Sequence, residues 1–97
     1  VIDQELSYEW ARIPHFYRAF YVYQYATGIS AAISIANKIL TEGEPAVKKY
    51  REFLTKGGSD YSINLLKIAG VDMASPEPIL DAIGNFRKTL EELKSLV

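Results

Sequence analysis

Between Phe16 and Leu40 the chain has no proline, and its apolar residues return at helical spacing through Ile29, Ala32, Ile33, Ala36 and Leu40. Such a stretch has only one economical solution, a long α-helix, because an internal Gly28 costs a helix about 1 kcal/mol and does not break it. "TEGEP" ends the run. Gly43 suits the cap region and Pro45 the first turn of a following helix. Ala46, Val47, Tyr50, Phe53 and Leu54 repeat at three and four until Gly57 and Gly58 stop them. Ser59 or Asp60 can cap a third helix holding Ile63, Leu65, Leu66 and Ile68, with Gly70 beyond its end. "SPEP", Ser75 to Pro78, then opens a last helix whose apolar stripe is Ile79, Leu80, Ile83, Phe86, Leu90 and Leu93. The expected organisation is an entry segment over residues 1–15, a long helix over 16–40, and shorter helices over 45–56, 60–69 and 76–96. No run alternates in the manner of a strand, so the fold class is all-α.

The 97 residues make one modest domain, short for an enzyme that must also enclose a substrate. A net charge of −1 offers no footprint for nucleic acid or an anionic membrane, and neither is expected as a partner. The chain has no cysteine, which excludes disulfides and thiolate metal sites and fits a cytoplasmic setting. Polar residues through Tyr21 to Leu40 rule that stretch out as a membrane span. The sequence opens on Val1 and runs almost at once into an amphipathic pattern, which is expected of a piece of a longer polypeptide.

The aromatic residues are unevenly spread. Six of the twelve, with the single histidine, lie between His15 and Tyr25. On a helical wheel Tyr21 and Tyr25 join the wide apolar arc with Gly28, Ile29, Ala32, Ile33, Ile35, Ala36, Ile39 and Leu40, and are expected to be core. Tyr23 falls with Thr27, Ser30, Ser34 and Lys38, near Phe16 and Phe20, on the polar side, where its hydroxyl faces water or a cleft. Phe16, Phe20 and Tyr23 would then form an exposed aromatic patch, the mark of an interface or groove.

Other constellations carry less. Asp3, Glu5, Glu42, Glu44, Asp81, Glu91 and Glu92 are spaced as caps and solvated helix faces. "GGSD" at Gly57 to Asp60 is a helix stop followed by a cap, because a phosphate cradle needs a longer motif after a strand. One histidine without cysteine cannot assemble the common zinc sites, so no metal ligand is assigned to this chain.

"IPHFYRAFYVYQYATGISAA", followed by "KYREFLTKGGSDYSINLLKIAGVDMASPEPI", resembles the C-terminal part of the catalytic domain of oligoendopeptidase F enzymes, within the thimet oligopeptidase-like family of zinc metallopeptidases. The resemblance covers the chain from about Leu6. It implies a fragment of a larger, mostly helical peptidase domain that hydrolyses short peptides in a deep channel. In that family the zinc is held by an H-E-x-x-H helix and a downstream glutamate, and the motif glutamate acts as general base. Those residues are not in this sequence and are expected upstream, so the chain alone is expected to be inactive. The resemblance also implies that a histidine and tyrosines donate hydrogen bonds to the tetrahedral oxyanion. These roles carry over to His15 and Tyr23, with Tyr17 the next candidate, while Phe16 and Phe20 are expected to meet substrate.

Thimet-type relatives have a longer glycine-rich loop between histidine and tyrosines; here seven residues separate His15 from Tyr23. A continuous helix would hold the two Cα atoms about 12 Å apart along its axis, too far for one oxyanion. His15 is therefore expected on or before an irregular first turn. The implied partners are short peptides and the remainder of the catalytic domain, with self-association of the chain where its apolar face is uncovered. An alternative of another class is a free-standing, non-enzymatic helical module that docks a partner helix or peptide through the aromatic face.

Overall fold

The computed structural model describes residues 3–97; the first two residues of the expected entry segment lie outside the described residues. Two 3-10 segments, Gln4–Arg12 and Pro14–Tyr17, lead into four α-helices, α1 Tyr23–Glu42, α2 Glu44–Lys56, α3 Ser62–Ile68 and α4 Glu77–Leu96. The fold is all-α, with no strand among the described residues. The ends of α2, α3 and α4 fall within two residues of those expected from glycine and proline placement. Gly43 links α1 to α2 at φ 69°, a left-handed conformation that only glycine adopts without cost, and its N–H donates to the Ile39 carbonyl at 3.1 Å.

The long helix departs from expectation at its amino end, beginning at Tyr23 and not at Phe16. Pro14 opens a separate 3-10 turn, and the chain then reverses between Arg18 and Tyr21, where the Tyr21 N–H donates to the Arg18 carbonyl at 3.2 Å. Phe20 sits in this turn at φ 62°. That conformation costs a residue with a Cβ about 1–2 kcal/mol, so interactions on either side must hold it.

The face that α1 buries differs in part from the wheel. Ile35 of the apolar arc is buried and Ile39 packs beside it, but the other buried residues are Ser30, Ala31 and Ser34, whereas Ile29 and Leu40 of the arc are 59% and 83% exposed. The reason is size and satisfied hydrogen bonding. Ser30 Oγ donates to the Ala26 carbonyl at 2.7 Å, and Ser34 Oγ donates to Asp81 Oδ2 on α4 at 3.0 Å. Both hydroxyls are thus buried without an unmade hydrogen bond, which removes most of the penalty for putting serine inside. Their small volume lets α4 come close. On the neighbouring side of α1, Ala31 and Ile35 meet Ala69 and Val71, with Ile39, Tyr50, Phe53, Leu66 and Met73 packed around them.

Carboxylates fix the connections around α3. Asp60 accepts from Asn64 Nδ2 at 3.0 Å and from the Tyr61 N–H at 2.6 Å, which together hold its carboxyl below the ordinary range. Asp72 accepts from the Ala74 N–H at 3.0 Å and pairs with Lys67 at 3.4 Å, and it too is lowered, chiefly by the Ala74 N–H.

This core is small for the chain. The Cα radius of gyration is 17.3 Å, against about 13 Å for a compact domain of this length. The accessible surface is 7922 Å², some 40% above the ~5,600 Å² typical of a folded monomer of this mass. Much of the difference is apolar: Ile83, Phe86, Leu90 and Leu93 of α4 remain exposed along most of its length. The four helices close only in part around their own core.

Candidate functional site

The reversal at Arg18 to Tyr21 folds the 3-10 turn carrying His15 back onto the beginning of α1. There the imidazole meets Tyr21 and Tyr25, which are one helical turn apart. The ring centroids of His15 and Tyr21 are 5.4 Å apart at an interplanar angle of 38°, and those of His15 and Tyr25 are 5.9 Å apart at 77°. Tyr21 and Tyr25 meet edge to face at 6.1 Å. The Arg18 guanidinium carbon lies 5.7 Å from the centroid of the Tyr21 ring, within cation–π range. Aromatic pairs in such geometries contribute about 0.5–1.5 kcal/mol each. Two or three of them offset the left-handed Phe20, so the reversal and the ring cluster depend on each other.

Tyr21 and Tyr25 are therefore not core residues. Tyr21 is half-buried, Tyr25 is 55% exposed, and neither belongs to the buried cluster. The apolar arc had suggested a helical packing partner for them; their partner is instead the histidine before the turn.

Tyr23 stands on the other side of α1, about 200° from each of its aromatic neighbours by helical geometry. Its 63%-exposed side chain borders the amino end of a groove of about 760 Å³ between α1, α2 and α3. Ala31, Ile35, Ile39, Tyr50, Phe53 and Met73 supply the walls. Of the two settings the wheel left open for Tyr23, water or a cleft, it borders a cleft, yet Ser30 and Ser34, which share the tyrosine's side on that wheel, are buried, and Ser34 bonds Asp81 of α4.

The remaining candidates are distributed around the turn. Tyr17 donates its hydroxyl to the Ala11 carbonyl, which ties the two 3-10 segments together. Phe16 and Phe20 are exposed and do not line the groove; Phe20, at 87% exposure, projects from the reversal. Among the described residues no group of three or more His, Cys, Asp or Glu is gathered so as to hold a metal ion. Nor, among those residues, is any helix long and apolar enough to cross a membrane. Three residues do more than the sequence reading gave them. Asp81, expected among the solvated carboxylates, is exposed and also accepts from Ser34, and the second addition is the Tyr21–Tyr25 pair against His15. The sequence signal for the second was an aromatic pair four apart, following the histidine closely.

Known proteins resemble the chain along its whole length. The sequence profile described as peptidase family M3 matches residues 2–85. Oligopeptidase PepF of Bacillus subtilis is 56% identical over all 97 residues, which are 14% of its length. Oligoendopeptidase F (plasmid) of Lactococcus lactis subsp. cremoris is 46% identical over 95 residues, 98% of this chain and 16% of that protein. A crystal structure described as that of a peptidase from Chlamydophila abortus superposes with a TM-score of 0.77 at 48% identity, covering 100% of this chain and 16% of the other. The chain thus spans about one-seventh of the length of the curated relatives it matches.

Within the ring cluster, a hydrogen bond with Tyr21, then desolvation and the neighbouring phenolate charge, hold the Tyr25 phenol above its ordinary value of about 10. The raised value favours the neutral phenol, so the contribution of Tyr25 is complete below pH ~10 and is lost as pH rises through its folded value. In tyrosine-labelled protein followed by NMR, Tyr25 is expected to ionise above the ordinary range, and Tyr21→Phe to bring it back. A Tyr25 midpoint indifferent to Tyr21→Phe contradicts a hydrogen bond between the two phenols.

Proposed function

From a chain that belongs to peptidase family M3, we propose one wall of the active site of a zinc metallo-oligopeptidase that hydrolyses short peptides. His15 and Tyr23 donate hydrogen bonds to the oxyanion that develops on the scissile carbonyl; Tyr17, the third candidate, has to release the Ala11 carbonyl before its single hydroxyl proton can serve there. The observation that carries this reading is the match to peptidase family M3 over residues 2–85; the reversal at Phe20 takes His15 off the α1 axis and sets it against Tyr21 and Tyr25, on the other side of α1 from Tyr23. The amino end of α1 has no side-chain cap, and its positive dipole end favours a nearby developing negative charge.

The described residues do not fit a zinc site of their own; the metal and its ligands belong, in this reading, to the part of the polypeptide beyond this chain. The contribution of these 97 residues is to bind, orient and donate. Tyr23 borders the groove, and the exposed rings of Phe16 and Phe20 offer apolar surface to substrate on the same end of α1. The isolated chain is inactive in this account, and the whole enzyme works in the cytoplasm.

In the full-length enzyme Tyr23→Phe is expected to lower kcat by about 10²–10³ with KM changed little, since the lost donor acts mainly in the transition state. Steady-state kinetics on a short peptide check this, and an unchanged kcat removes Tyr23 from the site.

The uncovered apolar surface has a consequence for the chain in isolation. It is expected to self-associate, each copy masking the exposed faces of another. Light scattering checks this: species heavier than the 10.9 kDa monomer are expected, and a clean monomer at high concentration contradicts it.

A further inference from the structure

The ring cluster around His15 is not explained by the need to bury apolar surface, because two of its three members are largely exposed and none belongs to the core. A histidine that only donates a hydrogen bond would rotate about its side-chain bonds in a 3-10 turn unless something fixed the plane of its ring. Tyr21 and Tyr25 supply two surfaces at different angles, 38° and 77° to the imidazole, and they are themselves locked edge to face at 66°. One contact alone would leave the ring free to slide over its neighbour. Two non-parallel contacts leave it one orientation.

The supports beneath the rings are firm for backbone reasons. The Gln24 N–H donates to the Tyr21 carbonyl at 3.4 Å and the Tyr25 N–H donates to the Val22 carbonyl at 3.1 Å, so both tyrosines are tied into the first turn leading into α1. On the histidine side, the Phe16 N–H donates to the Ile13 carbonyl at 3.2 Å and the Arg18 N–H to the His15 carbonyl at 3.4 Å, which closes the turn that carries the imidazole. Arg18 lies against the Tyr21 ring and lines, with Pro14, His15 and Tyr21, the small hollow beside the imidazole.

We propose that Tyr21 and Tyr25 are positioning residues for catalysis: their ring faces hold the His15 imidazole in the orientation from which it donates to substrate. They act through His15 and through their rings, whereas Tyr23 acts through its hydroxyl. The proposal rests on the reading of His15 as a donor. It adds a division of labour among neighbouring tyrosines that chemical type alone does not reveal.

The test uses the full-length enzyme with the variants Tyr25→Leu, Tyr25→Phe, His15→Ala and the double variant His15→Ala/Tyr25→Leu. Tyr25→Leu is expected to lower kcat by about 10–100-fold with little change in KM, the cost of a misplaced catalytic group. Tyr25→Phe keeps the ring and is expected to stay within a factor of about two of the parent. In the His15→Ala background, Tyr25→Leu is expected to cost nothing further, because the group it positions is gone. Histidine-selective carbon labelling reads the placement without activity: the His15 ring signal, identified by its loss in His15→Ala, moves in Tyr25→Leu and stays close to its place in Tyr25→Phe.

Tyr21→Leu and Tyr21→Phe repeat the comparison on the second ring, so a folding failure of Tyr25→Leu, seen as a lowered melting temperature, leaves the proposal open to refutation. Equal losses for the leucine and phenylalanine variants overturn it, since the hydroxyl and not the ring would then matter. Losses that multiply in the double variant overturn it as well. A His15→Ala enzyme with full kcat refutes the donor reading itself, and the labelled ring signal then still decides whether the two tyrosines hold the imidazole.

Discussion

Helix α1 is the member on which every other part of the chain is placed, and it can serve so because its buried stripe is made of small or hydrogen-bond-satisfied side chains. Ser30 and Ser34 put little volume between α1 and α4, and each hydroxyl has an acceptor, one in its own helix and one at Asp81. Next to them Ala31 and Ile35 receive Ala69 and Val71. A serine-to-acceptor bond of this kind contributes about 1 kcal/mol, but leaving the buried hydroxyl without an acceptor costs more. The arrangement therefore fixes the rotation of α1 about its axis. With that rotation set, Tyr23 is directed to the groove and Tyr21 and Tyr25 to the histidine.

The same rotation leaves a large apolar surface without cover. Ile29 and Leu40 on α1 and most of the α4 stripe face outward, and the chain is far more extended than a domain of its length. Amphipathic faces of this extent are normally closed by further helices. Its relatives are about seven times longer, which agrees with a surface designed to be completed by other parts of a polypeptide. Half of a site and half of a core are consistent with each other.

Much of this was legible from residue order. Gly43, Pro45, Gly57, Gly70 and the "SPEP" segment mark the helix ends because they act through the backbone itself, by permitting a positive φ or removing a donor, and such effects are local. The start of α1 was not legible. Nothing between Phe16 and Val22 forbids a helix, and the reversal is held by a tertiary contact between His15 and two tyrosines that overrides helical periodicity. The buried face was misread in part for a related reason. A wheel ranks Ser30 and Ser34 by polarity, whereas packing ranks them by volume once their hydroxyls have acceptors. The candidate donors His15 and Tyr23 were legible only through resemblance, since neither spacing nor composition distinguishes Tyr23 from the tyrosines beside it.

The central claim is that the two sides of the α1 amino end meet on one oxyanion. A crystal structure of the full-length enzyme with a phosphinic peptide bound, whose tetrahedral phosphinate imitates that oxyanion, tests it directly. The account predicts a His15 ring nitrogen and the Tyr23 hydroxyl at about 2.7–3.1 Å from phosphinate oxygens. Both groups lying beyond hydrogen-bonding reach, about 3.5 Å or more, with the phosphinate held entirely by other parts of the enzyme, would contradict it.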